Sequence, residues 1–157
     1  MAVNRGKQFE AKVKEDILKL DPELALERFP DQVSGWKGSK NPSDFTLYWY
    51  PYYYYIECKT TNENTLPLSA ITQYDALLER HGKRGVRAGI VLWWVQHDTI
   101  AYVPVATLQK LKQDNMKSVN IKMLNNENYR IIQIPAIKKR VFMDADFSVL
   151  KQLQEGD

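Results

Sequence analysis

Apolar positions recur every three or four residues from Arg5 to Leu20, at Phe9, Val13, Ile17 and Leu20. That spacing predicts a helix with one buried stripe. Asn4 stands where a cap belongs, and Asp21-Pro22 ends the run. Leu24 to Phe29 reads as a short strand. Pro30 to Pro42 is polar, holds Gly35 and Gly38, and reads as a loop. Asp44 to Tyr50 and Tyr52 to Lys59 form an aromatic stretch broken by Pro51, the pattern of two strands joined by a tight turn. Thr60 to Leu66 is again polar and loop-like. Ser69 to His81 predicts a second helix, burying Ile71, Tyr74, Leu77 and Leu78 and ending at Gly82. Ala88 to Val95 is almost continuously apolar, the mark of a central strand covered on both faces. Gln96-His97-Asp98 turns the chain into a strand from Thr99 to Val103. A short helix from Ala106 to Gln113, a late strand or pair at Ile121 and Arg130 to Ile134, and a final helix from Phe147 to Leu153 complete the reading. The order predicts an α/β fold, a mixed β-sheet flanked by helices.

The bulk composition narrows the class without naming a function. A chain of 157 residues with 44% apolar and 26% charged positions builds one domain with a sizeable core. The net charge of +3 is too small to identify nucleic acid as a partner. Its distribution says more: cations cluster at Arg80, His81, Lys83, Arg84 and Arg87, and at Lys138, Lys139 and Arg140. The single cysteine, Cys58, excludes an internal disulfide and favours a reducing compartment. No apolar run is long enough for a membrane span, and Met1 to Lys12 lacks the core of a signal peptide. The expected location is the cytoplasm.

Three side chains give this scaffold a chemistry. Asp44 opens the aromatic hairpin, and Glu57-Cys58-Lys59 closes it thirteen positions later. Residues two apart on a strand share a face, so Glu57 and Lys59 project together while Cys58 offers that face only its backbone carbonyl. With the turn near Tyr50-Pro51, Asp44 falls opposite Glu57 within about one residue of register, where β-carbons lie roughly 4.5–5.5 Å apart. Two carboxylates at that spacing can share a divalent cation. Metal-assisted phosphodiester cleavage needs this pairing of acids with an ammonium group. Alone, Glu-x-Lys on a strand marks a solvated, salt-bridging face. The aspartate in register is what raises the other reading.

Glu10 sits beside Phe9 at the edge of the first helix's buried stripe, and is otherwise a helix-surface acid near an N-terminus. Gln73 follows Thr65-Leu66-Pro67-Leu68 and by itself reads as a surface glutamine. Taken in order, these pieces resemble the RecU-type Holliday-junction resolvases of the PD-(D/E)xK nuclease superfamily. The match runs from Asn4-Arg5-Gly6 to Glu10, through Asp44 and Glu57-Cys58-Lys59, the loop from Asn62 to Leu68, Gln73, the strand Ala88 to Val95 and Tyr102-Val103-Pro104. It covers residues 4 to 108. One departure is large. The family carries a long insertion before the aspartate, forming a stalk that enters a four-way junction. Here only Pro30 to Ser43 occupies that place, with Lys37 and Lys40 as its basic residues, too few for a stalk.

The resemblance implies a restriction-endonuclease-like fold and a Mg²⁺- or Mn²⁺-dependent endonuclease acting on DNA, branched DNA in particular, as a homodimer. It implies a metal held by Asp44, Glu57 and the Cys58 carbonyl, with Glu10 holding a second cation or a water. Lys59 would orient the attacking water and neutralise phosphoryl oxygens, and Gln73 would bond the water or the scissile phosphate. For DNA the candidates are Arg5, Lys37, Lys40, Thr60, Thr61, Arg80, Lys83, Arg84 and Arg87. Thr60 and Thr61 are equally explained by strand propensity, and the basic stretch Arg80 to Arg87 by a solvated connection. Tyr48, Tyr50, Tyr52 to Tyr55 and Trp49 either stack on unpaired bases or, the favoured reading, pack in the core and a dimer interface. Competing functions are a nuclease for flaps, ends or duplex DNA, and a non-catalytic DNA-binding factor.

Overall fold

The computed structural model describes residues 4–30 and 41–154. Lys37 and Lys40 therefore lie outside the described residues. Helix α1 occupies Arg5–Leu20, as the periodicity predicts, and the Asn4 side-chain oxygen accepts from the Lys7 N–H at 3.1 Å. The strands are β1 (Ala25–Arg28), β2 (Phe45–Trp49), β3 (Tyr52–Thr61), β4 (Thr65–Pro67), β5 (Val86–Trp94), β6 (Thr99–Pro104), β7 (Ser118–Asn120), β8 (Ile132–Ile134), β9 (Ala136–Lys138) and β10 (Met143–Ala145). Helices α2 (Tyr74–His81) and α3 (Val105–Gln113) follow β4 and β6.

Six strands form one mixed sheet in the order β1-β2-β3-β5-β6-β8. The β3–β5 pair is parallel and its neighbours are antiparallel. Alternation sorts the core into two layers. Phe9, Val13 and Ile17 of α1 pack on Phe45, Leu47, Ile56, Cys58 and Trp93. Leu77 of α2 with Leu108 and Leu111 of α3 packs on Ala88, Ile90, Leu92 and Trp94. Helices thus cover both faces, and β5 is buried on each side, which explains its unbroken apolar run. Among the described residues no helix is long and apolar enough to cross a membrane.

Four expectations need correction. The polar stretch after Lys59 is not all loop: β3 continues to Thr61, and Thr65–Pro67 pairs with Ser118–Asn120 as a ribbon. Its partner lies some fifty positions away, beyond what local pattern can show. The second helix begins at Tyr74 rather than Ser69; Leu68–Ala70 forms a separate 3-10 turn, and Ile71 leaves helical geometry at φ −94°, ψ 79°. Ile121 belongs to a 3-10 turn that starts after Asn120, whose side chain accepts from the Lys122 N–H. Phe147–Gln154 is 3-10 rather than α-helical.

Of the described glycines, Gly89 stands in the tightest surroundings. A β-carbon there would stand 2.6 Å from the Val103 carbonyl oxygen and 2.8 Å from the Tyr102 ring. Backbone oxygen cannot give way, so Gly89→Ala should cost about 1–3 kcal/mol of stability. Urea unfolding should show an earlier midpoint with an unchanged slope; an unaltered midpoint would mean that β5 and β6 are not packed this closely.

Candidate active site

Strand β2 ends its ladder with β3 just before the acids begin. Phe45 pairs with Ile56, and the Asp44 N–H donates to the Ile56 carbonyl at 3.1 Å. Beyond that point β3 has no β2 residue beside it. The Asp44 carboxylate fills the gap: its Oδ2 accepts from the Cys58 N–H at 2.8 Å. In an antiparallel pair a residue's N–H and C=O leave on the same side. The Cys58 carbonyl therefore points toward the Asp44 side as well. Glu57 and Lys59 share the opposite facial set from Cys58, and Lys59 Nζ stands 3.7 Å from Glu57 Oε1. Helix α1 supplies Glu10, whose Oε1 accepts from Arg28 Nε of β1 at 2.7 Å.

Burial sets the electrostatics of this corner. Glu57 is 4% exposed, and its Oε2 is enclosed with no hydrogen-bond partner. Burial pushes the Glu57 carboxyl up to about 8; the Asp44 and Glu10 charges push the same way and Lys59 opposes them. Asp44 is raised as well, by burial first, with Glu10 adding to the rise and the Cys58 N–H, Lys59 and Arg28 opposing it. Three neighbouring acids thus draw on Lys59 and Arg28 for neutralisation. A hard cation would remove the deficit. No three described histidine, cysteine or acidic side chains gather closely enough to cage an ion unaided. Two carboxylates and one carbonyl nonetheless match the protein's usual share of a Mg²⁺ site, whose remaining positions stay with water. The orphaned Glu57 oxygen is a donor suited to that use.

The other predicted residues divide. Gln73 stands at the N-cap of α2, and its Oε1 accepts from the Thr72 hydroxyl at 2.9 Å rather than meeting the acids. Helix α2 precedes β5 through a tight turn and runs back along it. Its 8 residues span about 12 Å, which carries Gln73 toward the level of Ile90, the neighbour of Glu57 in β5. Thr61 fastens the following turn, donating to the Thr65 carbonyl and accepting from the Glu63 N–H. Thr60 points to the other face of the strand by alternation. Arg5 donates to Asn62 at 3.0 Å, at the acid end of β3. The turn that carries Lys83 and Arg84 does not flank the acids. The Gly85 carbonyl accepts from Tyr53 N–H, about 13 Å along β3 from Glu57. Arg87 is buried against the Tyr52 ring at 3.7 Å, and Arg80 lies over Tyr55. Lys83 and Arg84 are exposed.

Cys58 faces the core, where burial pushes its thiol well up. His81 and His97 are exposed, and His97 meets Asn64 at 2.6 Å, away from the acids. Of the expected aromatic packing, Tyr54 and Trp49 are buried while Tyr48 and Tyr50 stand exposed. Arg28 was not foreseen. Its signal is faint: in Ala25–Arg28 alternation places it on the side of Leu26, facing α1.

No protein-family model matches the chain, and no curated protein matches it by sequence. Among solved structures it is similar to Archaeoglobus fulgidus Hjc, a Holliday junction resolvase from an archaeal hyperthermophile. The identity is 22% and the TM-score 0.52, over 74% of this chain and 89% of that one. The two share a fold, which is the restriction-endonuclease-like arrangement of a mixed sheet flanked by helices.

The raised Glu57 carboxyl has a signed consequence. Its ordinary value of 4.5 becomes about 8 on folding, so the folded chain holds a proton that the unfolded chain has lost. Stability must fall as pH rises across that window and level off above it. In EDTA, Glu57→Gln should be more stable than the parent at about pH 9, by a few kcal/mol, with the gap closing toward about pH 5. Denaturant unfolding at both pH values reads this directly, and equal gaps at the two would show that Glu57 titrates normally.

Proposed function

We propose that this chain is a metal-dependent DNA endonuclease that hydrolyses phosphodiester bonds in branched DNA, Holliday junctions among them, as a cytoplasmic homodimer. The carrying observation is the buried, unpartnered oxygen of Glu57 beside Asp44, Lys59 and the Cys58 carbonyl. Asp44, Glu57 and that carbonyl would hold Mg²⁺ or Mn²⁺, with Glu10 close enough to influence both acids. When bound, such an ion offsets phosphate charge and makes water more acidic. The chain's own residues supply the rest. Lys59 Nζ, half-shielded and already drawn toward Glu57, can donate to a phosphoryl oxygen as negative charge builds in the transition state. Gln73 would bond the water or phosphate after a rotation that releases Thr72. Arg5, held at the acid end of β3 by Asn62, is the described cation best placed to meet the flanking backbone. The fold shared with Hjc supports a nuclease of this kind, and the RecU-like order of motifs is part of the same proposal. A second molecule would place two such sites about a two-fold axis, as paired cuts require.

A second reading is a nuclease for flaps, ends or linear duplex, favoured by the short segment before Asp44. A panel of junction, flap, nicked and linear DNA with Mg²⁺, Mn²⁺ or Ca²⁺ separates the two. The expected result is preferential cutting of the junction with Mg²⁺ or Mn²⁺. Equal rates on all shapes would give the second reading the field, and no cutting by a folded protein would end both. Asp44→Asn and Glu57→Gln should each lower the rate by at least about a thousandfold, and Lys59→Ala by about a hundredfold or more, with DNA binding retained. Cleavage that survives Glu57→Gln would place the reacting centre elsewhere.

A further inference from the structure

A cavity of about 380 Å³ opens beside the start of β5, the end of β6 and the first turns of α3. Its basic side chains come from four elements: His81 ends α2, Arg87 is the second residue of β5, Lys110 lies on α3, and Arg130 precedes β8. No carboxylate is among the described residues that line it. The walls between these side chains are Ala88, Tyr102, Pro104 and Ala106. Existing contacts hold Lys110 and Arg87 in place. Lys110 Nζ donates to the Asn128 carbonyl at 2.7 Å, and Asp114 balances it from outside the cavity at 3.8 Å. The Arg87 guanidinium lies over the Tyr52 ring at 3.7 Å. An ammonium carries three donors and a guanidinium five, so such groups can serve an anion beyond their protein contacts.

An apolar slot of this volume, rimmed by cations and lacking acids, suits a small molecule with a flat body and an anionic group. We propose that it is a nucleotide subsite, with a base against Pro104 and Ala106 and a phosphate on His81, Lys110 and Arg130. The nucleotide has two possible sources. It can belong to a DNA strand held by the enzyme, a source that rests on the nuclease reading, or it can be a free nucleoside monophosphate. The strand source fits the layout. Ala88 pairs beside Tyr55, two residues or about 7 Å along β3 from Glu57. Lys83 and Arg84 are exposed in the turn that follows His81, where they can follow a strand's phosphates outward.

Binding is measured on the full chain in EDTA, where cutting cannot intervene, with deoxyadenosine 5′-monophosphate and with a short oligothymidine. Inorganic phosphate and deoxyadenosine serve as competitors. Ala106→Trp fills the mouth from an exposed position, and Lys110→Gln removes a cation. Each should weaken binding at least about tenfold with an unchanged melting temperature. Binding of deoxyadenosine 5′-monophosphate alone points to a free nucleotide, and binding of the oligonucleotide, with or without the monophosphate, points to a strand; either supports the subsite. It is overturned if the parent binds neither ligand, if both variants bind as the parent does, or if phosphate alone competes as well as the nucleotide. Should Ala106→Trp fail to fold, Lys110→Gln decides. Because the ligand is never cut, this result stands or falls separately from the cleavage assay.

Discussion

One hydrogen bond organises the acid corner: the Asp44 carboxylate accepting from the Cys58 N–H. A strand edge that loses its neighbour exposes backbone donors, and a buried donor without a partner costs about 1–3 kcal/mol. Here β2 stops at Phe45, and the side chain of the preceding residue substitutes for the missing strand. That substitution brings a carboxylate into the plane of the sheet, where an ordinary ladder would have put a carbonyl. It also leaves the edge of β3 open from Glu57 onward on that side. Glu57, Lys59 and the Cys58 carbonyl all gain access to the same corner because the ladder ends there.

The corner is held against its own charge. Burial raises both Glu57 and Asp44, the Asp44 charge raises Glu57 further, and Glu10 adds to the rise in both. Replacing them with apolar residues would relieve the fold, since an isolated buried charge is costly. The surrounding core supports that cost: Phe9 and Trp93 stack at 5.4 Å behind Cys58, and Ile56 and Ile90 on either side of Glu57 are fully enclosed. Buried acids that burden a fold and lie together at a broken strand edge are the arrangement expected of a functional site.

The sequence made the frame legible because its periods were clean. The α1 stripe at Phe9, Val13 and Ile17 and the apolar run of β5 each point to one packing solution. The opposition of Asp44 and Glu57 was legible too, because a hairpin turn fixes register over short distances. What stayed hidden depends on long-range partners. The β4–β7 ribbon joins segments that carry only three paired residues each, with no signal of their own. The β9–β10 hairpin is as short. Arg28 meets Glu10 only through the packing of α1 over the edge strand. The turn that carries Lys83 and Arg84 lies apart from the acids for a related reason: it follows the Gln73 helix in sequence, but α2 runs back along β5, so its two ends stand at different levels of that strand.

That separation has a physical logic. Cations set among Asp44, Glu57 and Glu10 would form ion pairs with them, as Lys59 and Arg28 already do in part. Each further pair would lower the acids' demand for a metal ion. Keeping Lys83 and Arg84 in the turn before β5 leaves the acids under-neutralised. On the proposed function, the two charge systems would act on one polyanion without quenching each other. The Debye length of about 8–10 Å at ordinary salt is shorter than the roughly 13 Å along β3 between Glu57 and the level of the turn that carries Lys83 and Arg84. Screening therefore weakens their direct attraction in solution, and the division persists whether or not DNA lies between them.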